Sequence, residues 1–200
     1  MAATEAEPTS TLSRSQAARR RRVVEAAIEL GSAGGYDAVQ MRDVSAKSDV
    51  ALGTIYRYFS SKDHVLAAAL VQWVGELEGQ IARRPPRQDS ATERMIDILR
   101  RATRTMERQP KLSAAMITAL SSNDPKVIAC QTELSATMAR AQDRAFSDDF
   151  DPETRAGIVR TLSWVWYAAL VAWASGWTGF NSVAEELEVA ARLLIEPYER

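Results

Sequence analysis

The chain is 200 residues long, 46% hydrophobic and 26% charged, with a formal net charge of −1 and one cysteine, Cys130. That composition is ordinary for a globular protein of one compact domain, or of a small domain continuous with a larger one, and a single cysteine excludes an internal disulfide or a cysteine-clustered zinc site. The longest mostly apolar run, Trp164 to Ala174, has eleven residues against the ~20 that a bilayer requires, and no cationic-then-apolar leader opens the chain, so a soluble, cytoplasmic protein is expected.

Residues 1–12 combine Ala, Thr, Glu and Ser without a periodic apolar face, which predicts a mobile tail. Ser13 or Ser15 then caps a helix expected to run to about Leu30, burying Val23, Val24, Ala27 and Ile28 and stopping near Gly31. Arg19 to Arg22 are four consecutive cations, either a solvated face or contacts to DNA phosphates. Gly34 and Gly35 allow a reversal, after which Tyr36 is expected to anchor between the first and third helices. From Arg14 to Lys62 nine Lys/Arg stand against five Asp/Glu, so this end is positive although the whole chain is nearly neutral.

Two short helical patterns follow, Met41 to Ser48 and Ala51 to Phe59, separated by Asp49 and Val50, the size and spacing of a helix-turn-helix. Met41, Val44 and Ser45 form one inward stripe, Ile55 and Phe59 the other. The opposite face of the second helix offers Leu52, Gly53, Thr54, Tyr56 and Tyr58, with Lys62 next. Small side chains at its amino end suit an approach to base edges, and hydroxyls and a cation suit phosphate oxygens. Arg42 is a further phosphate candidate, with a plain surface arginine as the alternative.

These residues resemble the TetR family of bacterial regulators. The resemblance rests on Gly34-Gly35-Tyr36 and on the run Gly53-Thr54-Ile55-Tyr56-Arg57-Tyr58-Phe59-Ser60-Ser61-Lys62. Gln40 departs from it, standing where that family usually places a Ser or Thr cap. The longer string from Gly34 to Arg42, with Asp49-Val50-Ala51, is similar more narrowly to the actinobacterial members that repress cholesterol catabolism genes. Fainter similarity runs through Met106 to Pro110 and Ala191 to Ile195. The resemblance implies an all-α fold of about nine helices, in which a three-helix DNA-binding module, 13–62, is joined by a long helix to an effector-binding and dimerisation domain, 63–200.

The pattern after Lys62 places Leu66, Leu70, Trp73, Leu77 and Ile81 on one helical face and ends before Pro85-Pro86. His64, at its start, is expected as a surface or capping residue. Further helices are expected over 89–107, 111–120 and from Pro125 past Ala141, then from Pro152 to Ser175, with Asp151 as N-cap, and from Ser182 to Ile195. The Pro152 helix is apolar on two faces, one of them Trp164, Ala168, Val171 and Ser175, which calls for a second copy of the chain. The last helix offers Val183, Leu187, Ala190 and Leu194. The resemblance implies that these two helices pair with their copies in a four-helix homodimer interface, placing two recognition helices on a palindromic operator.

No glycine-rich phosphate loop, nucleophile elbow or metal-ligand cluster is present, and one histidine with one cysteine leaves most nucleophile-base pairs without a partner, so neither an enzyme nor a cofactor or metal is expected. Trp73, Met106, Met116, Met138, Trp166, Leu170 and Trp173 are either a core stripe or the lining of a pocket for a bulky apolar ligand. The narrower resemblance implies a sterol-derived acyl-coenzyme A thioester as that ligand, with Arg83, Arg84 and Arg87 as candidate cations. Two alternatives stay open: a regulator answering to an unrelated planar or cationic drug-like compound, and a helical lipid or acyl-thioester binding protein with a vestigial DNA-binding module.

Overall fold

The computed structural model describes residues 13–199; the tail expected over 1–12 lies outside them. Among the described residues are nine α-helices, two short 3-10 turns and no strand. The helices are α1 Arg14–Gly34, α2 Met41–Ser48, α3 Leu52–Tyr58, α4 Lys62–Arg83, α5 Ala91–Glu107, α6 Pro110–Ala119, α7 Pro125–Asp143, α8 Pro152–Ala174 and α9 Phe180–Ile195. None is long and apolar enough to cross a membrane.

Local chemistry starts most of these helices. Ser13 and Gln16 form a capping box, the Ser13 hydroxyl accepting from Gln16 N at 3.3 Å and the Gln16 amide oxygen accepting from Ser13 N at 2.7 Å. Asp151, as expected, accepts from Thr154 N at 2.8 Å ahead of Pro152, and Asp124 accepts from Lys126 N at 2.8 Å ahead of Pro125. Proline at N1 loses no bond, because that N–H has no intrahelical acceptor.

The end of α1 corrects the expected stop at Gly31. The helix runs on to Gly34 and is closed by Gly35, whose φ of 74° lies in the left-handed region. Gly31 is instead a packing residue: a Cβ there would meet Leu112 Cδ1 of α6 at 2.8 Å. Sequence alone cannot separate a glycine that ends a helix from one that lets a neighbouring helix approach.

α4 is the spine. Its residues from His64 to Leu70 are all buried, because this stretch is enclosed by α1, α6 and α7. α7 runs alongside α4 over much of its length, while α8 and α9 pack on each other, and α9 also closes on α5. Polar clasps fix that last contact: Glu199 accepts from both the amide and the hydroxyl of Thr92 at 2.8 Å, Arg192 pairs with Glu93 at 2.9 Å, and Arg100 pairs with Glu188 at 2.6 Å.

Candidate nucleic-acid interface and carboxy-terminal core

The helix-turn-helix is held from behind by apolar burial. Val44, Ile55 and Phe59 are fully buried in one core with Val23, Val24 and Ala27 of α1. Each large side chain of this kind contributes about 1.5–3 kcal/mol on burial. The turn depends on Asp49, left-handed at φ 51°, and is braced by the Ser45 hydroxyl donating to Val50 O at 2.8 Å and by Arg22 donating to Asp49 O at 3.5 Å. Arg20 lies over the Phe59 ring, 5.1 Å from its centre, and Arg21 pairs with Glu25 at 3.6 Å, so three of the four consecutive arginines are engaged within the module.

The outward face of α3 carries the expected group. Gly53, Tyr56 and Arg57 are exposed, and Leu52, Thr54 and Tyr58 are half-buried; Arg42 on α2 is exposed. A Cβ at Gly53 would have nothing within 4 Å, so the protein itself does not require glycine there. Gln40 makes no capping bond to α2, and its amide donates to Asp37 O at 2.9 Å.

Lys62 departs from its expected position as an outward cation. Its ammonium lies 3.8 Å from the centre of the Tyr36 ring and 3.4 Å from the Tyr36 carbonyl oxygen, an arrangement that holds the charge inside the module. Tyr36 reaches the start of α4 rather than only bridging α1 and α3: its hydroxyl donates to Asp63 Oδ1 at 2.6 Å. Burial, with Asp63 adding to it, pushes the Tyr36 pKa up to about 12.

A contact between the helix-turn-helix segment and the helical body had no sequence signal. Ser60 and Ser61, between α3 and α4, both donate hydroxyls to Asp124 Oδ2 at the head of α7. His64, expected at the surface, is 8% exposed; its Nδ1 accepts from Ser60 N at 3.2 Å, and its ring packs edge-on against Phe59. The Ser60 hydroxyl, as the leading cause, holds the Asp124 carboxyl below its usual pKa. A helix start at Pro125 was legible from the sequence; the partners of Asp124, more than sixty residues away, were not.

At the other end, Trp164, Ala168, Val171 and Ser175 are exposed along one edge of α8, Trp164 at 67%. On α9 the expected stripe needs correction. Val183 and Leu187 are 0% and 1% exposed and face inward, and Ala190 and Leu194 are half-buried. The exposed apolar residues of α9 are Val189 and Leu193, at 55% and 72%. Glu188 and Arg192 are tied to Arg100 and Glu93 of α5, which turns the Leu187 side toward α5.

The expected ligand residues do not converge on a described cavity. A small recess of about 10 Å³ lies between α5 and α9, lined by Ile96, Leu99, Thr103 and Leu187 with Arg100 and Glu188 at its edge, and an open groove of about 470 Å³ lies beside Ser90, Phe150 and Tyr198. Trp73, Met106, Met116, Met138, Trp166, Leu170 and Trp173 line neither. Met116 is fully buried in the core, and Trp173 packs edge-on against Phe180 at 4.7 Å between α8 and α9. The interior is nevertheless not wholly apolar. Gln142 of α7 is 0% exposed with neither side-chain amide atom hydrogen-bonded, and Trp166 Nε1 is likewise buried without a partner.

A short recognition helix supported by a buried three-helix module, joined through α4 to a larger helical body, defines the class of helix-turn-helix DNA-binding regulators. More narrowly, the chain belongs to the TetR family: residues 23–69 match the model of bacterial regulatory proteins of the tetR family, and residues 89–194 match the tetracyclin repressor-like C-terminal domain. Regulators of this family bind DNA and act as dimers; they are not enzymes. The chain is 38% identical over 183 residues to the HTH-type transcriptional repressor KstR of Rhodococcus jostii, covering 92% of this chain and 85% of that one. The KstR of Mycobacterium tuberculosis is 33% identical, with 92% and 83% covered. Among solved structures, a TetR transcriptional regulator from Rhodococcus sp. RHA1 superposes with a TM-score of 0.79 at 28% identity, covering 90% of this chain and 97% of that one. Thermus thermophilus FadR, solved with lauroyl-CoA, shares the fold at a TM-score of 0.69 and 24% identity, with 88% and 92% covered. The chain is thus a KstR-like transcriptional repressor of the TetR family.

Proposed function

We propose that the chain represses transcription as a homodimer on a near-palindromic operator and is released by a bulky apolar effector, a sterol-derived acyl-coenzyme A thioester. The supporting observation for the DNA arm is the α3 face: Gly53 and Thr54 at its amino end, Tyr56 beside them, and no protein contact that explains Gly53. In this reading Gly53 and Thr54 approach base edges, while Arg42, Tyr56 and Tyr58 meet phosphates. Residues 13–62 form the DNA-binding unit and 63–200 the effector and dimer unit, with α4 common to both motions.

The exposed edge of α8 with Val189 and Leu193 of α9 supports dimerisation, since a monomer gains nothing by leaving Trp164 and Leu193 in water. Support for a thioester comes from the KstR likeness and from FadR of Thermus thermophilus and of Bacillus subtilis, solved with lauroyl-CoA and stearoyl-CoA. These favour a thioester over an unrelated drug-like compound.

The test is retardation of duplex from the gene's own upstream region by the purified protein, with and without a cholestenoic acid thioester of coenzyme A. Retardation that the thioester reverses is the expected result. No retardation at low salt and micromolar protein would remove the regulatory reading, and retardation indifferent to the thioester would remove the effector.

A further inference from the structure

The cations of the helix-turn-helix divide into those that the protein holds and those that it leaves free. Lys47, near the end of α2, pairs with Glu29 of α1 at 2.6 Å, and Lys62 is folded over the Tyr36 ring at 3.8 Å. Arg42 and Arg57 are exposed, and among the described residues neither guanidinium has a hydrogen bond or an ion pair. Arg42 belongs to α2. Arg57 belongs to α3 itself, although it is absent from the outward face read off the sequence.

The register of α3 shows where Arg57 points. Ile55 is fully buried and fixes the inward direction. At about 100° per residue, Gly53 and Arg57 each stand about 160° away from Ile55 and about 40° from one another, side by side along the middle of the outward face. Thr54 and Tyr58 form one flank of that line, and Leu52 and Tyr56 the other. Exposure follows this order: Gly53, Arg57 and Tyr56 are exposed, whereas Leu52, Thr54 and Tyr58 are half-buried. Helical side chains tilt toward the amino end, so a residue covers the surface over the turn before it. The stem of Arg57 is thereby directed over Gly53, where a Cβ would have nothing within 4 Å. Glycine there leaves a bare track along which the guanidinium reaches the amino end of the helix; a bulky side chain would fill it.

The donor pattern then selects a base. When a recognition helix lies in the major groove, the middle of its outward face meets base edges, and phosphates lie to either side. A guanidinium is a planar fork of donors without an acceptor. In the major groove only guanine presents two neighbouring acceptors, O6 and N7; adenine pairs an acceptor with a donor, thymine sets one acceptor beside a methyl group, and cytosine offers a donor. We propose, resting on the DNA-binding reading given above, that Arg57 is a specificity-determining residue that reads one guanine in each operator half-site across the bare surface of Gly53. This adds to that reading the base selected and the side chain that selects it.

The experiment is selection from random duplex by the full-length protein and by Arg57→Ala and Arg57→Gln, followed by titration of the selected sites and of random duplex. The unaltered protein selects a site with a preferred guanine in each half, and adenine at that position weakens binding about 5- to 150-fold. Arg57→Ala makes the position indifferent and leaves the preferences at the other positions in place. Arg57→Gln, whose amide pairs with adenine N6 and N7, moves the preference toward adenine. Melting temperatures change little, because Arg57 holds nothing within the protein. A phosphate contact would instead weaken selected and random duplex in step, lower the salt slope by about 1 for each arginine lost, and leave every base preference as it was. That result, or a selected site without such a guanine, overturns the inference and keeps the DNA-binding reading. If the unaltered protein enriches no sequence and retards no duplex, the DNA-binding reading fails, and this inference with it.

Discussion

Asp124, the residue that caps α7, accepts a hydrogen bond from Ser61 at the head of α4 at 3.3 Å, and shares the same oxygen with the Ser60 hydroxyl. The last residues of the helix-turn-helix segment are thereby fastened to α7, which packs along α4 and against α8. If the repressor is released by a ligand as proposed, α4 is one route to the DNA-binding module and this bond is a second.

Asp124→Ala should therefore uncouple the two halves more than it harms either. Couplings of this kind span about 5- to 150-fold in affinity, and the variant should retain operator binding and effector binding while the effector-induced drop in operator affinity shrinks several-fold. Operator titrations with and without effector measure it. An unchanged drop would assign transmission to α4 alone.

His64 gives the same junction a pH dependence. Burial lowers its pKa below the ordinary value of about 6.5; Asp124 opposes that shift, and Arg20 and Lys126 add to it. Because the folded value lies below the unfolded one, the unfolded chain takes up the proton first. The His64 contribution is thus complete above about pH 6.5 and declines as the pH falls toward the folded value. Asp124, whose own pKa is lowered, acts in the more acidic carboxylate range. Urea midpoints between about pH 7.5 and 5 should fall less for His64→Asn, whose side-chain oxygen can still accept from Ser60 N. Equal slopes would place the proton elsewhere.

What the sequence made legible follows from which interactions are local. The helix-turn-helix could be read because its determinants, Val44, Ile55, Phe59 and the Asp49 turn, act within twenty residues of one another. The two-sided apolar character of α8 was legible for the same reason. α9 was misread because it also carries apolar residues on two sides, and periodicity does not say which side meets α5. The clue was charge: Glu188 and Arg192, paired with Arg100 and Glu93, mark the inward side. The Lys62–Tyr36 contact was not legible because the two residues lie 26 positions apart. Gln142 was passed over because a polar residue in a helical pattern is ordinarily placed in solvent.

Gly53 permits an unusually clean test of the DNA-facing surface. Since an added Cβ meets nothing in the protein, Gly53→Ala should stabilise α3 by about 0.5–1 kcal/mol. A weaker hold on the operator in the same variant can then only arise on the DNA side. Thr54→Ala should reduce the preference for operator over random duplex by about 1–3 kcal/mol. Equal losses on both duplexes would show that Thr54 reads no base.

The last prediction separates the two sides of α9. Leu187 is 1% exposed against α5, and Leu193, six residues on, is 72% exposed. Leu187→Ala should lower folding stability by about 2–5 kcal/mol while the protein that remains folded keeps its oligomeric state. Leu193→Glu should do the opposite: the charge stays in water in an isolated chain, so folding is little affected, but in a dimer built on the α8 and α9 faces it must be buried without a partner. Sedimentation of Leu193→Glu, alone and combined with Trp164→Glu, should report monomers, and their operator affinity should collapse because one recognition helix holds only half a site. If the variants sediment as the unaltered protein does, the subunits meet on some other face, and two-fold pairing through α8 and α9 is wrong.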